Sequence, residues 1–212
     1  AQIESRNLDH TARWLRADGR GFYTIGSAGH ESNAAVAAAL RIDDPALLHY
    51  RSGGFYCARA AQRPGPDAVT DVLAGVLALR DEPIAGGRHK VFGHPALAVI
   101  PQTSTIASHL PRALGVAFSI RRSTRLGITG PWPRDALAVC SFGDASANHS
   151  TAQGAVNAAC YTWHSGLPVP LLFVCEDNGL GISVPTPGGW IESSFADRPG
   201  LEYEQVDGTD PL

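Results

Sequence analysis

Asp144 and Asn178 are the residues of this chain whose types and spacing best suit chemistry. Each stands just past a short apolar run. The run at 136–142 (ALAVCSF) precedes the Asp, and the run at 170–176 (PLLFVCE) precedes the Asn. Runs of that length and composition read as buried strands. Between them, 151–162 has the length of a helix, with Ser150 or Thr151 as its N-cap. A strand–helix–strand unit makes parallel neighbours whose carboxyl ends open on one edge of the sheet, where open α/β sheets bind ligands. The Asp and the Asn are therefore expected side by side on that edge.

A carboxylate, an amide oxygen and a nearby backbone carbonyl make an oxygen-only half-shell suited to Mg²⁺ or Ca²⁺. Mg²⁺ held in this way takes further oxygens from water and phosphate. Gly143, Ala145 and Ser146 are small enough for the backbone to come close to a diphosphate. The helix start near Ser150 offers N–H groups to anions. Taken singly, Gly-Asp and Asn-Gly are ordinary turn dipeptides; their placement in register across one crossover unit is what favours the ligand reading.

This pairing resembles the thiamine diphosphate motif, which opens Gly-Asp-Gly and closes on Asn. The wider text is similar to the alpha subunit of 2-oxo acid dehydrogenases, the decarboxylating first component of those complexes. The blocks at 21–40 (GFYTIGSAGHESNAAVAAAL), 48–55 (LHYRSGGF), 101–118 (PQTSTIASHLPRALGVAF) and 203–211 (YEQVDGTDP) agree in the same order. Two departures stand out. Ala145 occupies the place of the motif's second Gly, and the Asp-to-Asn interval is somewhat long, with the extra residues expected in a helix-to-strand loop at 161–170.

The resemblance implies an α/β fold of the thiamine diphosphate-binding type, a parallel sheet flanked by helices. It implies thiamine diphosphate and Mg²⁺ as cofactors, with Asp144, Asn178 and the Leu180 carbonyl on the metal and Gly143, Ala145 and Ser146 along the diphosphate. It also implies that Tyr50 and Arg51 reach the diphosphate, Arg through its fork of donors. Ser104 would touch the aminopyrimidine, and Ile106 would be the bulky wedge that keeps the cofactor bent. Ordinary helix packing is the alternative for Ile106, and a solvated strand-end cation is the alternative for Arg51. His109, where many relatives have Gln, is either a satisfied polar residue or a proton handler, as are His30 and His49. None is assigned as the catalytic base.

By the same resemblance, the activating Glu comes from a pyrimidine-binding domain on a beta subunit or a fused C-terminal half. A further active-site His would follow in a loop beyond Leu212. Residues 1–212 are thus expected to be the diphosphate- and Mg²⁺-binding part of a larger protein, inactive alone. The active site would lie between domains in a two-fold assembly. The wording of 21–40 and 101–118 favours a branched-chain 2-oxo acid of the 2-oxoisovalerate type, with the acyl group passed to a lipoyl acyltransferase component. Pyruvate or acetoin dehydrogenase and a transketolase-type enzyme are the alternatives. The intact Asp144 and Asn178 disfavour a non-enzymatic assembly subunit.

The elements that must position these residues are legible in outline. With 212 residues, 44% of them hydrophobic and 17% charged, the chain suits one α/β domain. Residues 1–20 form an N-terminal helical arm carrying Leu8, Ala12 and Leu15 at helical spacing. Further helices are expected at 30–40, at 67–79 as a core helix, and at 105–122. The last would carry Ile106, Leu110, Leu114 and Phe118 on one face and close at Arg121–Arg122, with Pro111 marking a kink or the first turn. A short strand is expected at 46–51, with loops at 62–67 and 81–101.

A net charge of −3 gives no electrostatic case for nucleic acid. No apolar run approaches the roughly 18 residues that span a bilayer, and no secretory signal is visible. The four cysteines have no metal-type spacing, and Cys140 and Cys175 fall in the expected buried strands; a reducing, cytoplasmic setting follows. Neither G-x-G-x-x-G nor G-x-x-x-x-G-K-[ST] occurs in the context needed for a nicotinamide or P-loop site. The sequence has no Met, and 53–60 and 86–94 are shorter than the resemblance would have them.

Overall fold

In the computed structural model of the chain, residues 1–21, 25–82, 84 and 92–210 are described. In chain order the first elements are α1 (Gln2–Ala17), α2 (Asn33–Ala39), β1 (Ala46–Leu47), α3 (Gly53–Ala61) and α4 (Ala68–Val76). Then come β2 (Phe92–His94), β3 (Val99–Gln102), α5 (Leu110–Leu126), β4 (Ala138–Gly143) and α6 (Asp144–Ala147). The chain continues through α7 (Ser150–His164), β5 (Leu171–Glu176), β6 (Leu180–Gly181), β7 (Val184–Pro185) and α8 (Trp190–Phe195). They gather into two compact units, one built from Ala1–Asp43 and Leu48–Ser104, the other from Asp44–Leu47 and Thr105–Gly208.

The first unit is mostly helical. α1 buries Leu8, Ala12 and Leu15 at the spacing read from sequence, together with Ser5 and Asp9, and packs on α3 and α4. Asp9 accepts a hydrogen bond from the Ser27 amide at 2.6 Å, which ties the segment after α1 to the helix. The expected helix at 30–40 is shorter: 31–32 form a turn, and α2 begins at Asn33. α3 has no counterpart among the expected elements; it opens on two glycines, which are poor helix formers. The Asn33 Oδ1 accepts the Phe55 amide at 2.7 Å, so a neighbouring element supplies an acceptor for the new helix. A Cβ at Gly54 would sit 2.7 Å from the Glu31 carbonyl oxygen, so the α2–α3 approach requires glycine there.

α4 starts at the Asp67 cap, whose side chain accepts the Val69 amide. It is no core helix: of its residues only Ala68 is buried. The stretch expected as one loop at 81–101 instead holds an antiparallel hairpin in its described part, with Phe92 opposite Gln102 and His94 opposite Val99. Most of 86–94 lies outside the described residues.

The second unit carries the parallel sheet. β1 and β5 flank β4, each parallel to it, with Ala46 opposite Val139 and an unbroken β4–β5 register from Ala138–Leu171 to Gly143–Glu176. The parallel α/β expectation holds here. β4 is buried throughout, whereas β5 is only half-buried, so Cys175 is less enclosed than its sequence suggested and Cys140 is fully buried. The expected strand at 46–51 is cut to two residues, and Tyr50-Arg51 lie in the turn beyond it.

α5 covers β4, but later and with a different face than the sequence suggested. Pro111 sits in its first turn, where a missing N–H costs nothing. The helix runs on past Arg121–Arg122 to a left-handed Gly127 cap. Leu110, Ala113, Ala117 and Ile120 face inward. Leu114 is half-buried and Phe118 is exposed. The reason is steric. Ala117, Ile120, Ala136 and Ala138 form a small-residue core with Val116, Trp132, Val169 and Leu171 around it, and larger residues would hold the helix off the sheet.

Candidate functional site

β4 ends at Gly143 and the chain turns at once into the four-residue α6, so Asp144 is the first residue beyond the strand. The side chain is buried, 2% exposed. Its Oδ1 accepts the Ala145 amide at 2.8 Å, and its Oδ2 is buried with no hydrogen-bond partner. A carboxylate oxygen in that state is costly unless something positive meets it.

One strand across, β5 ends at Glu176, opposite Gly143, and the chain reaches Asn178 two residues later. The Asn178 Oδ1 accepts the Leu180 amide at 3.0 Å, and Asp177 accepts the Gly179 amide at 3.2 Å; these two side chains shape the turn. Gly179 adopts φ +69°, and its carbonyl accepts the Thr186 amide, which closes the β6–β7 hairpin. Leu180 begins that hairpin.

The two strand ends meet. A Cβ built on Gly181 would lie 2.9 Å from the Ala145 Cβ and 2.7 Å from the Val184 carbonyl oxygen. The Ala145 methyl therefore rests against a bare backbone. An alanine is tolerated at the motif's second glycine position because position 181 has no side chain. Asp144, Asn178 and Leu180 stand at the ends of two adjacent strands and offer only hard oxygens (a carboxylate, an amide oxygen and a backbone carbonyl), and the Asp144 Oδ2 is buried without a hydrogen-bond partner. That chemistry fits Mg²⁺.

Gly143 and Ser146 are buried and Ala145 half-buried. The helix that follows is capped by the His149 ring, not by Ser150 or Thr151, with Nδ1 accepting the Thr151 amide at 3.2 Å. The extra residues of the Asp-to-Asn interval partly lengthen α7 to His164 rather than lying wholly in a loop.

Ile106 is not on a helix. It lies in a turn ahead of α5 and is 38% exposed, which removes the helix-packing alternative. His109 closes that turn. Its Nε2 is 2.7 Å from the Ser141 carbonyl oxygen on β4, and burial, with the nearby Arg112 cation, pushes its pKa below the usual 6.5. The ring is buried and bonded on one side, so His109 is a partly satisfied polar residue.

In the first unit, Arg51 donates from Nη1 to the Gly26 carbonyl at 2.7 Å and stacks 5.1 Å over the buried Tyr50 ring. It is thus no freely solvated cation. His30 and His49 are buried with ring centroids 5.5 Å apart. Ser104 is half-buried in the bend after β3.

A family model described as "Dehydrogenase E1 component" matches residues 2–212. The 2-oxoisovalerate dehydrogenase subunit alpha of Bacillus subtilis (strain 168) is 27% identical over 216 residues, covering 98% of this chain and 59% of that protein. The mitochondrial 2-oxoisovalerate dehydrogenase subunit alpha of Mus musculus is 25% identical over 193 residues, 89% of this chain and 39% of that protein. Subunit alpha 2 from Arabidopsis thaliana mitochondria is 30% identical over 124 residues, 57% of this chain and 23% of that protein. The chain spans 59% or less of the length of these relatives.

Proposed function

The chain belongs to the dehydrogenase E1 component family, the thiamine diphosphate-dependent alpha component of 2-oxo acid dehydrogenases, and from that membership we propose the following activity. The complete protein decarboxylates a small branched 2-oxo acid of the 2-oxoisovalerate type and passes the remaining acyl group to a lipoyl carrier. The observation that carries the reading is the buried, partnerless Oδ2 of Asp144 at the end of β4, beside the Asn178–Gly181 loop. The relatives' printed names support the branched substrate.

Asp144, Asn178 and the Leu180 carbonyl would hold Mg²⁺, and Gly143, Ala145 and Ser146 would line the diphosphate. Thiamine diphosphate supplies an electron sink for the carbon that loses CO₂. The residues of this chain bind and orient. The oxygen set fixes the metal, the small residues let the backbone come close to the phosphates, and Arg51 and Tyr50 offer further diphosphate contacts. Ser104 and Ile106 are proposed for the aminopyrimidine and the bent cofactor; the exposure of Ile106 supports a ligand-facing role. The activating Glu is proposed to come from a beta subunit or fused half, and a lipoyl acyltransferase is the proposed acceptor, in a two-fold assembly. A reducing, cytoplasmic setting is part of the proposal, supported by four free cysteines.

The test is CO₂ release from 2-oxoisovalerate and pyruvate, with acetaldehyde release from acetoin measured beside it, by the complete protein with its complementary half, thiamine diphosphate and Mg²⁺. Preference for 2-oxoisovalerate is expected. Strong preference for pyruvate would overturn the branched-chain assignment, and no turnover of any 2-oxo acid would overturn the activity.

A further inference from the structure

We propose that His109 is a positioning residue whose ring pins the turn carrying Ile106 to β4, the strand that delivers Asp144. The inference rests on reading the end of β4 as the metal–diphosphate site. A carbonyl oxygen only accepts, so the 2.7 Å contact to Ser141 requires the proton on Nε2. The ring is 2% exposed and its Nδ1 has no partner. A second proton on the ring would be buried without an acceptor, near the Arg112 cation that already disfavours it. Burial thus favours the neutral ring, with its one proton on Nε2 and donated to Ser141.

The turn has its own reason to need a pin. Thr105 accepts both the Ser108 amide at 3.3 Å and the Ser108 hydroxyl at 2.9 Å, and Ala107 accepts the Leu110 amide at 3.2 Å. At the centre Ala107 is 1% exposed with φ +60°, a left-handed conformation an alanine seldom adopts. Such a conformation persists only where the surroundings over-determine it. On one side the turn runs into α5, where the His109 carbonyl accepts the Ala113 amide at 2.9 Å. On the other, the imidazole reaches Ser141, three residues before Asp144 on the same strand. Ile106 is left outside the core with a fixed backbone, as a group presented to a ligand must be. The bond thus couples the place of an apolar contact to the place of the metal ligand within one unit.

The experiment uses the complete protein with its complementary half and three variants. His109→Gln keeps an Nε2–H donor for Ser141, His109→Leu removes it, and His109→Asn is polar but too short to reach. Thiamine diphosphate affinity in Mg²⁺ is measured by calorimetry, and turnover is expressed per bound cofactor. His109→Leu is expected to lower turnover per bound cofactor about 10–100-fold, the scale of an ångström-sized misplacement, with affinity changed less than about threefold and His109→Gln restoring most of the loss. If His109→Leu fails to fold, His109→Asn is expected to show the same split. Wild-type turnover per bound cofactor in the folded Leu or Asn variant, or a Gln variant as impaired as Leu, would overturn the positioning role. Failure of the wild type to bind thiamine diphosphate would instead overturn the reading of the site.

Discussion

Asp144→Asn separates a metal ligand from a structural carboxylate. In the protein Oδ1 accepts the Ala145 amide at 2.8 Å, and Oδ2 is buried and bare. Asparagine has the same shape and keeps the Ala145 bond, but it removes the anion. Without ligands the variant should be as stable as the wild type, or more stable by up to about 1 kcal/mol, because an uncompensated buried charge is gone. With thiamine diphosphate and Mg²⁺ at about 100 times Kd, wild type should gain about 2.7 kcal/mol. For a cooperative unit of about 150–250 residues, at about 2–4 °C per kcal/mol, that is a rise of about 5–10 °C in the unfolding midpoint. The variant should show none. Circular dichroism melts of both proteins with and without ligands measure this. A variant less stable than wild type without ligands, yet with the full ligand-induced rise, would refute the reasoning.

Gly181→Ala would set a Cβ against the Val184 carbonyl and the Ala145 methyl; cofactor affinity in calorimetry should fall, because the Asn178 loop must move off α6. Ile106→Ala should lower turnover while costing well under the roughly 2–5 kcal/mol of a buried Ile→Ala change, since Ile106 is 38% exposed; urea unfolding gives the stability. Gly115→Ala on α5 and Gly154→Ala on α7 point into open space and should each stabilise by about 0.5–1 kcal/mol in thermal melts. Because the folded pKa of His109 lies below its ordinary 6.5, the native state binds fewer protons than the unfolded state below that pH. The contribution of His109 is complete above about pH 6.5 and is lost as pH falls through the window below it, at no more than about 1.4 kcal/mol per pH unit. His109→Gln should remove that share of the acid sensitivity in unfolding titrations.

The crossover unit was legible because strand and helix periodicity, turn residues and the Asp–Asn spacing all agree between 136 and 183, and the observed strands differ from the reading by two residues or fewer. The metal half of the candidate site inherits that legibility, since strand ends fix Asp144 and Asn178. What escaped was set by partners distant in sequence. α3 opens on two glycines, poor helix formers, and Asn33 supplies an acceptor to Phe55. α5 turns Ala113 and Ala117 inward rather than Leu114 and Phe118, because the β4 surface it meets is lined by Ala136 and Ala138. Ile106 looked helical by spacing, but the left-handed Ala107 and the Ser141 bond of His109 put it in a turn, and no local signal announces either. The role of Ala145 was likewise invisible without Gly181, whose missing side chain makes the room.

The central claim is that Asp144 and Asn178 hold a divalent metal on a diphosphate. Crystals of the complete protein with its complementary half, grown with thiamine diphosphate and Mn²⁺ in place of Mg²⁺, test it through the manganese anomalous signal. The account predicts one peak at the end of β4, bonded to the Asp144 Oδ2, the Asn178 side-chain oxygen and the Leu180 carbonyl. Thiamine diphosphate bound in the crystal with no metal peak there, or with a peak held by other residues, would contradict it.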